Sequence, residues 1–389
     1  MQRCVDNLLR MSSGAAVTEW SWLSSGRELF PAMLAAIEAA RESVCLETYI
    51  YGADYLGERF LEALVRAQER GARVRVLVDA LGSISLPSTF WGPLRGAGGE
   101  VREFNPLALD RLGIRDHRKL LVCDGQVAFV GGFNVAADYD GDGVTRGWYD
   151  LGLRLGGPLA AQLAVTFEEM FLRADFRHKR FLRLRRTAAR KTVQTPGEHL
   201  LLSGPGRGLS PIKQALRADL ARATHVQIMV PYFLPTRRIR RDLTRVARRG
   251  GRVQLLLPGR SDVLISHLAG QSLYRRALKA GVQIYEYQPQ ILHAKLIIAD
   301  NAVYVGSANL DQRSLNINYE LMIRFEHREM AEQARAIFAR SLANSRQITR
   351  EEWQRSRTVW RRLNQRWAYW LLVRIDPYLA RRQWQALPD

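Results

Sequence analysis

Two stretches of the chain carry the same reactive pair. "DHRKLLVCDGQVAFVGGFN" begins at Asp116 and "LHAKLIIADNAVYVGSAN" begins at Leu292. Each spells His-x-Lys-x4-Asp, then an apolar run, two small residues and, one residue on, Asn. The first supplies His117, Lys119 and Asp124 with Gly131, Gly132 and Asn134; the second supplies His293, Lys295 and Asp300 with Gly306, Ser307 and Asn309. A structural repeat must keep its apolar pattern, but nothing in packing requires it to keep an imidazole and an ammonium. Lys occupies only six positions in the chain, and two of them fall in these motifs.

Two imidazoles with two ammoniums around one point suit phosphodiester exchange. One His attacks phosphorus and forms a covalent phosphohistidine. The other protonates the leaving oxygen and then deprotonates the incoming hydroxyl. Lys119 and Lys295, with Asn134, Asn309 and Ser307, are candidates to hold the phosphate oxygens as charge develops. A nucleophilic His must be neutral with its lone pair aimed outward, and a carboxylate on its other nitrogen fixes that tautomer. Asp150 in "GWYDLGLRL" and Glu320 in "INYELMIRF" are the candidates, each at the start of an alternating strand. Asp124 and Asp300 complete the catalytic motif, but they stand at turns and are expected to support the loop. The scheme calls for no metal ion and no cofactor. His178, His199, His225, His267 and His327 lack this context and read as ordinary core or surface residues.

The elements around the motifs must bring the two sets together. "ELFPAMLAAIEAARESV" has the spacing of an amphipathic helix and "SVCLETYIY" that of a strand. A second helix follows, with a Gly stop at Gly71 and an alternating strand ending at Asp79. The same order recurs from "PIKQALRADLARAT" through "HVQIMV" and "RRIRRDLTRVARRGGRVQLLLPG". This predicts an α/β fold of two similar α/β/α sandwich halves related by a pseudo-two-fold axis, with a mostly parallel sheet in each. The expected divisions are 1–190 and 191–348 for the halves and 349–389 for a basic, Trp-rich helical tail. "FRHKRFLRLRRTAARKTVQTPGE" reads as a helix end and an exposed linker.

The chain has 389 residues and a net charge of +20, nearly all of it from Arg. That balance favours a polyanionic partner, either nucleic acid or an anionic membrane face. Cys4, Cys45 and Cys123 form neither a disulfide framework nor a zinc spacing, which suits a reducing compartment. No run reaches the length needed to span a bilayer, and no signal peptide is expected. Trp353, Trp360 and Trp367 recur every seven residues beside Arg, so a tail helix could lie in a membrane interface.

The paired motifs, with their Gly-Gly-x-Asn and Gly-Ser-x-Asn followers, resemble the HKD motifs of the phospholipase D superfamily over most of the chain. "ETYIYGADYLGERFLEALVRAQERGARVRVLVDALGS" and "VGSANLDQRSLNINYELMI" are similar to segments of bacterial cardiolipin synthases. The resemblance implies phosphatidyl transfer between phospholipids, with phosphatidylglycerol as usual donor and a second lipid or alcohol as acceptor. It makes His117 the nucleophile and His293 the acid and base, although the near-symmetry of the motifs leaves that order open. It also implies a peripheral protein on the cytoplasmic face of a bacterial membrane. Two departures stand out: the second motif's turn is one residue shorter, and Gly132 replaces the usual Ser. The alternatives are a phospholipase D that uses water as acceptor, or a nuclease or phosphodiesterase of the same superfamily. Nucleic acid is the weaker match. Both motifs lie in one chain, so no oligomer is required.

Overall fold

The computed structural model describes residues 18–106, 113–174, 190–195, 197–205, 210–355 and 358–375. Cys4, His178 and most of the basic stretch after Phe176 lie outside them.

Among the described residues the first sheet holds β1 (Trp20–Leu23), β2 (Ser43–Thr48), β3 (Arg73–Asp79), β4 (Glu100–Phe104), β5 (Leu120–Cys123), β6 (Val127–Gly131) and β7 (Gly152–Gly156). Their spatial order is β1-β7-β6-β5-β2-β3-β4. The second sheet holds β8 (Lys191–Thr195), β9 (Glu198–Ser203), β10 (His225–Met229), β11 (Arg252–Pro258), β12 (Gln283–Tyr287), β13 (Leu296–Ala299), β14 (Ala302–Gly306), β15 (Glu320–Glu326) and β16 (Ser345–Ile348). Its order is β16-β12-β11-β10-β13-β14-β15-β9-β8. Strand for strand, β9 through β15 repeat the arrangement of the first sheet, with β8 and β16 added at the edges. The expected duplication is therefore present.

The expectation of mostly parallel sheets is corrected. Only β2-β3-β4 and β10-β11-β12 run parallel; every other ladder is antiparallel. The helices Tyr55–Glu69 and Arg237–Arg248 supply crossovers long enough for parallel pairing. The motif strands cannot use one. β5 and β6 are joined by a short turn in which Asp124 and Gly125 take positive φ (53° and 64°), and a tight turn reverses the chain. The linker reading is corrected at its end as well, because Lys191–Thr195 pair with β9 as an edge strand.

Local signals set the helix ends. Asp54 caps Tyr55–Glu69 by accepting from the Leu56 and Gly57 N–H groups at 3.0 Å, and Gly71 turns the chain at φ 96°. The halves share a core: Leu151, Leu153 and Phe167 belong to one apolar cluster with Leu296, Leu321 and Ile337. That shared cluster fixes the halves against each other, and the motifs lie along the seam.

The seven-residue Trp stripe does not hold as one face. Trp353 sits on the separate helix Arg350–Arg355, only 4% exposed, with its ring 4.8 Å from that of Tyr274. Trp360 and Trp367 lie on the helix Val359–Trp370 and are exposed. Among the described residues, no helix is long and apolar enough to cross a membrane.

Candidate active site

His117 and Lys119 lie in extended chain just before β5, and His293 and Lys295 just before β13. Four backbone hydrogen bonds across the seam place them. The His117 N–H donates to the Tyr319 carbonyl (3.0 Å), and the Tyr319 N–H to the Arg115 carbonyl (2.9 Å). Symmetrically, the His293 N–H donates to the Tyr149 carbonyl (2.7 Å), and the Tyr149 N–H to the Ile291 carbonyl (2.9 Å). Tyr319 precedes Glu320 and Tyr149 precedes Asp150. The bridging therefore sets each carboxylate beside the histidine of the other half. His117 Nδ1 lies 3.1 Å from the Glu320 carboxylate, and His293 Nδ1 lies 2.6 Å from Asp150. Both carboxylates are fully buried. With Nδ1 held this way, Nε2 is the nitrogen each imidazole offers for chemistry, and Lys295 Nζ lies 3.0 Å from that of His293.

The electrostatics are asymmetric. Burial, then Lys119 and Lys295, hold His117 well below the ordinary imidazole value. Burial and Lys295 lower His293 to about 4, against the pull of Asp150. Burial also lowers Lys119 to about 7 and Lys295 to about 8. Of the carboxylates, Glu320 is pushed up to about 8 by burial, despite Lys119. Asp150 pays the same burial, yet Lys295 and His293 carry it below its usual value. Burial is the leading cause for both imidazoles and both lysines, so the centre favours their neutral forms.

The lysines fold back on their own motifs: Lys119 Nζ donates to the His117 carbonyl (2.8 Å), and Lys295 Nζ to the His293 carbonyl. The predicted phosphate holders divide. Ser307 donates to Glu320 and accepts from the Leu321 N–H (3.0 Å), so it clamps the carboxylate. Asn134 is committed within the protein, accepting from the Ile50 N–H (3.1 Å) and donating to the Tyr139 hydroxyl (2.6 Å). Asn309 is buried with its Oδ1 unpartnered. The Gly132 departure has a steric reason: a Cβ there would stand 2.1 Å from Asp150 Oδ1. The shorter acid lies against the glycine, and the longer Glu320 leans on Ser307.

Asp124 and Asp300 are engaged at turns, as acceptors of backbone N–H groups. Asp124 accepts from the Arg41, Glu42 and Ser43 N–H groups, and Asp300 from those of Thr224 and His225. Both sit in the turn at the far end of the motif strand, tying it to the entry of the neighbouring strand.

The description "Cardiolipin synthase, PLD-like domain" matches residues 33–170 and 216–342. The chain belongs to this family. Cardiolipin synthase 1 of Bacillus cereus is 33% identical over 313 residues, 77% of this chain and 62% of the relative. The major cardiolipin synthase ClsA of Bacillus subtilis is 32% identical over 368 residues, covering 92% of this chain and 76% of the relative. This chain thus spans about three fifths of the B. cereus protein's length. The phosphatidylserine synthase of Haemophilus influenzae superposes with a TM-score of 0.73 over 93% of this chain and 94% of its own, at 13% identity. That likeness concerns the fold alone.

Around the HKD residues of this family member stand groups that their spacing did not reveal. The Tyr49 ring lies 5.1 Å from that of His117, and Tyr139 and Trp148 lie 5.2 and 5.6 Å from His293. They flank the imidazoles with aromatic surface. On the other side of the first motif, Arg118 pairs with the fully buried Glu47 at 3.1 Å, and Asp79 accepts from the Asp116 N–H at 2.8 Å. The alternation of "RDHRK" was the available signal: Asp116 and Arg118 must point away from His117 and Lys119.

Proposed function

We propose that this protein transfers a phosphatidyl group between phospholipids, with phosphatidylglycerol as donor and the hydroxyl of a second lipid as acceptor. The observation that carries the reading is the pair of imidazoles, each oriented by a buried carboxylate of the opposite half. The Nε2 of His117 attacks phosphorus, the phosphorus–oxygen bond to the leaving glycerol breaks, and His293 gives that oxygen its proton. The acceptor hydroxyl then yields a proton to His293 and attacks phosphorus, and the phosphorus–nitrogen bond breaks.

The asymmetry of the carboxylates supports this order. A nucleophile must remain neutral, and Glu320 beside His117 is held toward its neutral form by burial. A proton shuttle must bear positive charge in turn, and Asp150 beside His293 is kept ionised. The bound phosphodiester offsets Lys295 and lifts His293 from its low resting value.

We further infer that the protein works on an anionic membrane surface. On the helix Val359–Trp370, Trp360, Leu363, Trp367 and Trp370 recur at three- and four-residue spacing and are exposed, Trp360 by 76%. An exposed aromatic face on a chain of net charge +20 fits an interfacial helix.

Lipid mass spectrometry after incubation with phosphatidylglycerol vesicles tests the reaction, with His117→Ala in parallel. Cardiolipin and glycerol, both lost in the variant, are expected. Phosphatidic acid alone makes water the acceptor, and absence of any lipid turnover removes the phosphatidyl assignment.

A further inference from the structure

A cavity of about 210 Å³ lies away from the HKD residues, lined by the helices Arg237–Arg248 and Tyr274–Lys279 over β11. Its floor is apolar, with Leu255 and Leu273, while Arg237, Arg240, Arg241 and Arg276 line it as well. Among the described residues, no carboxylate lines it. The acid on the same helix, Asp242, is engaged elsewhere, by Arg217 (2.8 Å) and Arg245 (3.3 Å). Among the described residues Arg240 Nε is buried without a hydrogen-bond partner, and its guanidinium rests over the Tyr369 ring at 5.7 Å.

The half-buried Arg240 keeps an unmet donor, and the exposed Arg237, Arg241 and Arg276 rim the same apolar floor, so the cavity suits an anion. A free phosphate would satisfy the arginines and leave the floor wet; a neutral chain would cover the floor and leave the arginines uncompensated. An acidic phospholipid does both. The volume is below the roughly 300–1,000 Å³ of pockets that enclose whole small molecules, so the cavity takes a phosphate and the start of one chain. The remainder of the lipid would stay in the bilayer. That geometry is available, because Tyr369, stacked on Arg240, belongs to the helix whose other face exposes Trp360 and Trp367.

We propose that this cavity is a second, non-catalytic site that binds one acidic phospholipid, its phosphate on Arg240 and Arg276 and its chain against Leu255 and Leu273. The site rests on the membrane reading above and is independent of the transfer reaction. It would hold the protein on acidic lipid during turnover.

The test is equilibrium binding of the full chain to phosphatidylcholine vesicles with and without phosphatidic acid, so that phosphatidylglycerol turnover plays no part. Arg240→Gln with Arg276→Gln should weaken binding to the acidic vesicles at least about tenfold. Arg238→Gln with Arg248→Gln removes the same charge outside the cavity and should cost less than about twofold. Ala277→Phe fills the cavity with the charge intact, and should reproduce the loss. Thermal melting of each variant checks that it is folded. Equal losses in the two double variants would show a diffuse charge effect and overturn the site. Wild-type binding by folded Ala277→Phe would overturn it too. If soluble glycerol 3-phosphate displaces the wild-type protein from the vesicles, the cavity recognises phosphate alone and the lipid assignment fails.

Discussion

Asp150→Asn isolates the contribution of one buried charge. The carboxylate is fully buried, lies 2.6 Å from His293 Nδ1, and is held ionised by Lys295 and His293. The amide is nearly isosteric and can still accept a hydrogen bond, so the fold should persist. What it removes is the charge assistance to an imidazolium, about 2 kcal/mol at this geometry. At 1.36 kcal/mol per decade that is about thirtyfold in the step where His293 takes up the acceptor's proton and becomes an imidazolium. The direction with pH follows from the same carboxylate. Asp150 raises the His293 pKa, which burial and Lys295 have already taken down to about 4. Without Asp150 the proton leaves at still lower pH, by roughly 1.5 units. The alkaline fall of kcat should therefore move toward acid, while KM, set by docking elsewhere, stays put. The assay is glycerol release from phosphatidylglycerol vesicles across a pH series. A loss under about threefold with an unmoved alkaline limb would refute the claim that Asp150 acts through His293.

Further substitutions separate neighbouring roles. Gly132→Ser forces a Cβ to within 2.1 Å of Asp150 Oδ1, so it should lose activity about as severely as Asp150→Asn; near-normal turnover would show that the carboxylate has room to move. Asp124→Ala and Asp300→Ala strip acceptors from backbone N–H groups at partly exposed turns and should each cost about 1–2 kcal/mol in denaturant unfolding, with turnover per folded molecule preserved. Collapse of kcat in folded protein would return those aspartates to the chemistry. Trp353→Ala empties a buried site and should cost about 3–5 kcal/mol of stability. The pair Trp360→Ser and Trp367→Ser should instead leave melting nearly unchanged and weaken vesicle binding, and unaltered co-sedimentation would sink the interfacial role of that helix.

The residues that the chain repeats were legible because repetition of a rare Lys beside His has no packing explanation. Their elements were legible for the same reason that amphipathic spacing usually is: Gly71 and the alternating β3 each obey a local rule. Strand direction did not follow from such rules. Helix–strand alternation speaks for parallel pairing, and it holds where a helix connects the strands, in β2-β3-β4 and its counterpart. The short turns at Asp124 and Asp300 override it locally and make the motif strands antiparallel. The exchange of carboxylates between halves lay further out of reach. Asp150 and Glu320 were visible as candidates, but their partners are set by backbone bonds from Tyr149 and Tyr319 across a seam, and no local pattern encodes a seam. Asn134 makes the same point from the other side. Its place in the motif suggests phosphate, yet the Ile50 N–H and the Tyr139 hydroxyl occupy its side chain. Repetition marks the residues that the two halves have in common; the division of labour between them lies where the halves differ, at Asp150 against Glu320 and Gly132 against Ser307.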